Sequence, residues 1–190
     1  HLDPGQVRSL VDRIAAERLD GIDLSSWRVA WCGAEPIQPR TMREFAERFA
    51  VVGLREDALH PCYGLAEATL MVTGQFEAQG VRYARLDSQD RVAEDFPGQG
   101  HSGPLIACGT APTGHVVKIV DPETGLECSE NQVGEIWFGG PSVASGYWRR
   151  PTETRETFNA VLPGGGDQRF LRTGDLGLLQ NGELFICGRL

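Results

Sequence analysis

Near Gln75 the spacing of apolar residues changes period, and the change divides the 190-residue chain into two kinds of structure. Before that point Val7, Leu10, Val11, Ile14 and Ala15 recur at helical intervals, as do Met42, Phe45, Ala46 and Phe49. Asp3 followed by Pro4 is a good opening for the first helix, an acidic N-cap with proline at the first helical position. The apolar run 27–32 predicts a buried strand and 58–60 a second. Each is followed by a loop, and in open α/β sheets ligands bind beyond the carboxyl ends of strands. After Gln75 short β-prone runs at 81–83, 105–108, 116–120, 134–138 and 184–187 alternate with turns, Asp121-Pro122-Glu123-Thr124-Gly125 among them. The expected architecture is the tail of an α/β subdomain over 1–76, then a β-rich, barrel-like subdomain over 77–190.

Composition excludes several functions. The 18 Lys and Arg against 26 Asp and Glu give a net charge of -8 with no basic run, which argues against a nucleic-acid groove. No apolar segment approaches the roughly 18 residues of a membrane span, and no stretch reads as a signal peptide, so none is expected. Cys32, Cys62, Cys108, Cys128 and Cys187 are an odd number without a CxxC pair, so reduced thiols in a cytoplasmic protein are expected rather than disulfides or a zinc site. The chain begins at His1, and it reads as a piece of a longer protein. The string Gly98-Gln99-Gly100-His101-Ser102-Gly103 matches a dinucleotide fingerprint, but prolines flank it and no strand-to-helix context surrounds it. Gly164-Gly165-Gly166 reads as a loop for the same reason.

The chemistry concentrates in Pro61-Cys62-Tyr63-Gly64-Leu65-Ala66-Glu67-Ala68-Thr69, read as an aromatic-glycine turn running into a helix start. Tyr63 offers a ring that can stack on a planar base, and Gly64 lets the backbone approach a ligand closely. Glu67 can hold a hard cation beside phosphates. Further on, Arg172-Thr173-Gly174-Asp175-Leu176-Gly177 presents Asp175 on a glycine-flanked turn, where its carboxylate can accept from two adjacent ribose hydroxyls. Taken alone, that segment is equally a solvated turn.

The ordered series Gly33-Ala34-Glu35-Pro36, Tyr63-Gly64-Leu65-Ala66-Glu67-Ala68-Thr69, Gly134-Glu135-Ile136-Trp137, Gly146-Tyr147-Trp148, Arg172-Thr173-Gly174-Asp175 and Gly182-Glu183-Leu184-Phe185-Ile186-Cys187-Gly188-Arg189-Leu190 spans nearly the whole chain. Together these motifs resemble the adenylate-forming superfamily of acyl-CoA synthetases, adenylation domains and luciferases, and most closely its fatty acyl-AMP ligases. The resemblance implies that Gly33, Ala34 and Glu35 line an adenine pocket, that Tyr63 stacks on the base beside Gly64, and that Asp175 holds the ribose. Arg189, at the entrance to the family's hinge, would add a ribose or phosphate contact. Glu67 would be the catalytic carboxylate that binds Mg²⁺.

The implied reaction joins a fatty acid to ATP, giving acyl-AMP and pyrophosphate, with the acyl group passing to an acyl carrier protein or a carrier domain of a polyketide or peptide synthase. Two departures refine this. Ala66 stands where many acyl-CoA synthetases have threonine, and Pro61 stands where many amino-acid-activating relatives have asparagine and cannot donate a hydrogen bond. The long stretch near 75–104 resembles the insertion of fatty acyl-AMP ligases. The family's phosphate loop and lysine-bearing C-terminal domain are absent from the 190 residues, so the segment alone is expected to be inactive. The alternatives are an acyl-CoA synthetase and a non-catalytic, adenylating-like binding module.

Overall fold

The computed structural model describes residues 2–77, 80–86 and 104–190. The expected insertion at 75–104 falls mostly outside the described residues, and the glycine string 98–103 wholly so.

Helix α1 (Pro4–Arg13) begins as its sequence dictates. The Asp3 carboxylate accepts from the Gln6 N–H at 2.7 Å while the Gln6 side chain accepts from the Asp3 N–H at 3.2 Å, so two of the helix's orphan donors are satisfied reciprocally. Helix α2 (Pro39–Ala50) buries Thr41, Met42, Phe45 and Phe49 along one stripe, and three of these meet Val7 of α1 in the first hydrophobic core. Strand β1 (Ala30–Cys32) runs parallel to β2 (Leu59–Leu65), with Cys32 opposite Pro61, and β2 runs antiparallel to β3 (Leu70–Gly74). Ala30, Cys32 and Leu59 face the helices and complete that core.

Two expectations are corrected here. Tyr63 and Gly64 do not form a turn into a helix. They lie within β2 at a register irregularity, and only a single 3₁₀ turn, Ala66–Ala68, precedes β3. Gly64 is needed for close approach: a Cβ placed on it would sit 1.7 Å from the Leu70 carbonyl oxygen. The segment 172–177 is likewise not a turn. It belongs to the ten-residue strand β8 (Leu171–Gln180), where Gly174 takes φ +72° and the register shifts between Leu176 and Gly177.

The β-prone runs beyond Gln75 become β4 (Tyr83–Ala84), β5 (Leu105–Ile106), β6 (Val116–Val120), β7 (Gly134–Gly139) and β9 (Glu183–Arg189). Strands β4 and β5 pair as a ribbon, and β6-β7-β8-β9 form an antiparallel meander in chain order, so the described strands close no barrel. Asn181 and Gly182, both at positive φ, join β8 to β9 in the left-handed geometry that tight hairpins prefer. Helix α3 (Pro151–Phe158) packs on β8 and sends Phe158 into a second core with Ile136, Phe138 and Leu171. Ala68 and Val72 enter the same core, which fastens the β2–β3 hairpin to the meander. Tyr63 packs against both cores. Among the described residues no helix is long and apolar enough to cross a membrane.

Candidate active site

Strands β8 and β9 place Asp175 directly across from Arg189, and β2 brings Tyr63 to the same point. The Tyr63 hydroxyl donates to Asp175 Oδ2 at 2.6 Å, and Arg189 Nε lies 3.2 Å from Asp175 Oδ1. Burial first, and then the Asp175 carboxylate, push the Tyr63 phenol well above its ordinary value, so it stays a neutral donor. The Arg189 side chain is 80% exposed and the Asp175 side chain 19%, so a mostly buried carboxylate is paired with a cation that reaches solvent.

The backbone under Asp175 is braced from β7. Thr173 donates its hydroxyl to the Ile136 carbonyl at 2.8 Å and accepts the Asp175 N–H at 3.1 Å. Glu135, only 2% exposed, accepts from Arg172 Nε at 3.0 Å, from the Trp137 indole at 2.9 Å and from the Gly174 N–H at 3.3 Å. Arg172 completes the arrangement by lying 5.8 Å over the Trp137 ring. A buried carboxylate needs such partners, and these bind two of the sequence motifs into one unit. Replacing Glu135 with Ala leaves Arg172 and the Gly174 N–H without their acceptor. Glu135→Ala is expected to cost about 2 kcal/mol of stability, seen as a lower melting temperature by circular dichroism.

The loop after β1 lies beside the same strand. Gly33 is buried against Cys62, and a Cβ there would stand 2.7 Å from Cys62 Sγ and 2.8 Å from its carbonyl oxygen. Ala34 holds φ +76°, a strained value for a residue with a side chain and one found disproportionately at functional sites. Glu35 is exposed and extends toward the start of α1, near Gly5, rather than toward the Asp175–Arg189 pair. The Cys62 thiol donates to the Cys32 carbonyl at 3.3 Å, and burial pushes Cys62 up to about 11 and Cys32 up to about 12. A raised thiol value means almost no thiolate near neutral pH. Both cysteines are expected to resist iodoacetamide at pH 7 until the protein is unfolded, as read by mass spectrometry.

Glu67 sits apart from the Asp175 cluster. Its Oε1 accepts from the Tyr147 hydroxyl at 2.6 Å, and its backbone carbonyl accepts from the Ala144 N–H at 2.8 Å. That hydrogen bond to Glu67, and secondarily burial, push the Tyr147 phenol up to about 12. Among the described residues no group of three His, Cys, Asp or Glu side chains gathers as a metal cage. A lone half-buried carboxylate with one oxygen unengaged still suits Mg²⁺, which is commonly held by one or two carboxylates, substrate phosphates and water. Glu135, Thr173 and Tyr147 went unassigned at the level of sequence. They stand inside recognised motifs, but their partners are 37 and 80 residues away for Glu135 and Tyr147.

The "AMP-binding enzyme" family model matches residues 4–148. The chain belongs to this family. It is 44% identical over 184 residues to the medium-chain-fatty-acid–[acyl-carrier-protein] ligase JamA of Moorena producens, covering 94% of this chain and 31% of that protein. It is 42% identical over 178 residues to the putative fatty-acid–CoA ligase FadD21 of Mycobacterium tuberculosis, covering 90% of this chain and 31% of that protein. The structure superimposes with a TM-score of 0.88 and 41% identity on the fatty acyl-adenylate ligase of L. pneumophila solved with acyl adenylate and pyrophosphate, covering 99% of this chain and 33% of that one. The α/β part followed by a β-rich part is thus the fold of this AMP-binding enzyme over the matched third. The chain spans about a third of the length of the curated relatives it matches.

Proposed function

We propose that these residues form the nucleoside-binding and metal-binding part of a fatty acyl-AMP ligase. The observation that carries the reading is the convergence of Tyr63, Asp175 and Arg189 from β2, β8 and β9, with Tyr63 and Asp175 112 residues apart in sequence. In this reading Asp175 accepts from the two ribose hydroxyls, Tyr63 lies against the adenine, and Gly33, Ala34 and Glu35 form the other wall of the base pocket. Gly64 lets the chain pass close to the nucleotide. Arg189 swings from Asp175 to a ribose or phosphate oxygen. Residues 1–76 then act as the tail of the α/β subdomain and 77–190 as the β-rich subdomain, with an insertion near 75–104.

The reaction proposed for the complete protein is attack of a fatty acid carboxylate oxygen on the α-phosphorus of ATP. The new P–O bond makes acyl-AMP, and the bond to the β-phosphate breaks to release pyrophosphate. Catalysis of this kind rests on positioning and charge neutralisation. Mg²⁺, when bound, would offset phosphate charge, and Glu67 would hold it. No residue here is required as a general base, because the nucleophile is already an anion. All five cysteines are free thiols, which fits a cytoplasmic setting.

The acceptor proposed is a carrier-protein thiol, in line with the name of the JamA relative. The FadD21 relative favours coenzyme A as the second reading. The test supplies the complete protein with ATP and a fatty acid, then offers either a phosphopantetheinylated carrier protein or coenzyme A. Acyl-AMP followed by acylated carrier is the expected result. Acyl-CoA as the dominant product would assign the second reading, and absence of any acyl-AMP would reduce the chain to a binding module.

A further inference from the structure

The turn that bears Glu67 is strapped from outside by a single loop of the meander. Thr69 Oγ1 donates to the Ser142 carbonyl at 2.6 Å, the Ala144 N–H donates to the Glu67 carbonyl at 2.8 Å, and the Tyr147 hydroxyl donates to Glu67 Oε1 at 2.6 Å. Within the strapped turn Thr69 and Leu70 hold φ values of +60° and +117°, conformations that persist only where the surroundings enforce them. The strap is itself anchored. His115 stacks on Phe138 with ring centres 5.3 Å apart and reaches Ser142 Oγ through Nε2 at 2.9 Å. At the other end the Tyr147 N–H donates to Thr154 Oγ1 at 2.9 Å, and the Tyr147 ring meets Phe158 edge-on at 5.0 Å. Gly146 adopts φ +139° with Thr154 so close that a Cβ would lie 2.2 Å from its methyl group.

These contacts leave Tyr147 few freedoms and, through it, leave Glu67 few. A glutamate on a surface turn ordinarily samples several rotamers and loses them on binding a ligand. Here one carboxylate oxygen is already engaged, while Oε2 accepts no hydrogen bond from any described residue. A neutral phenol donor orients the carboxylate without cancelling its charge, which is how outer-shell partners of metal ligands operate.

We propose that Tyr147 is the positioning residue for Glu67, engaging Oε1 so that Oε2 is left free to hold the divalent cation that would accompany ATP. The inference rests on the reading of Glu67 as that cation's carboxylate. Tyr147→Phe removes only the hydroxyl and keeps the ring against Phe158 and the backbone bond to Thr154. The experiment measures, on the complete protein by calorimetry, the affinity for ATP with and without Mg²⁺ and the affinity for AMP alone, in wild type, Tyr147→Phe and Glu67→Gln. Tyr147→Phe is expected to lose at least about 10-fold of the Mg²⁺-dependent gain in ATP affinity while AMP affinity is unchanged. Full metal dependence in Tyr147→Phe, with loss in Glu67→Gln, would overturn the inference and leave Glu67 as the ligand. Full metal dependence in Glu67→Gln would overturn the reading of Glu67 and this inference with it. An equal loss of AMP affinity in Tyr147→Phe would make the residue merely structural and also overturn the proposal.

Discussion

Asp175→Ala is expected to weaken binding of an acyl-adenylate analogue to the complete protein by roughly 100-fold, a loss of about 3 kcal/mol for hydrogen bonds to a charged acceptor. The substitution removes the acceptor proposed for both ribose hydroxyls. It also strips the Tyr63 phenol and the Arg189 guanidinium of their shared partner. Asp175→Asn separates the two effects, since it keeps the shape and one acceptor but gives up the charge, and should fall between wild type and Ala. Calorimetry reads both. If Asp175→Ala binds the analogue as tightly as wild type, the nucleoside does not lie on this carboxylate.

The largest loss of stability is expected from Gly64→Ala. Its methyl group would lie 1.7 Å from the Leu70 carbonyl oxygen, 2.7 Å from the carbonyl carbon and 3.2 Å from the Met71 Cα, all of them backbone atoms that have no rotamer to escape into. Overpacking a core with one extra group typically costs about 1–3 kcal/mol, and a collision with main chain belongs at or above the top of that range. For a chain of this size that is a fall of roughly 10 °C in melting temperature, measurable by scanning calorimetry. Gly114→Ala is the control. Gly114 has φ +82° and nothing within 4 Å of an added Cβ, so it should cost only the left-handed penalty of about 1–2 kcal/mol. Equal melting temperatures for the two variants would contradict the close crossing of β2 and β3.

Where structure is decided by neighbours in sequence, the chain could be read directly. Asp3, Pro4 and Gln6 close their cap within four residues, and the stripe of α2 is visible in the spacing of Met42, Phe45 and Phe49. Strand β6 runs over the residues expected of it, 116–120. Strand β8 was hidden because Gly174, Asp175 and Gly177 are turn formers by local propensity, and pairing with β7 and β9 overrides them. Helix α3 was missed for the opposite reason: it is polar along most of its length and buries only Phe158, so no apolar stripe announces it. Tyr63, Asp175 and Arg189 were nameable from motifs, and the fold brings them together. The parts played by Glu135 and Tyr147 depend on partners far along the chain, and no spacing rule connects them.

The β2–β3 hairpin leaves one core and enters the other, with Tyr63 touching both and Ala68 and Val72 lodged among Val117, Ile136 and Phe138. This has a consequence for how such sequences can be shuffled. A chimera of two relatives that exchanges α1 and α2 has to match them to Ala30, Cys32, Leu59, Ile106 and Cys108 of the first core. A crossover at 76/77 would take positions 68 and 72 from one parent and 117, 136 and 138 from the other. Those five positions therefore have to be inherited as a set, and the hairpin carries with it the meander whose loop holds Glu67.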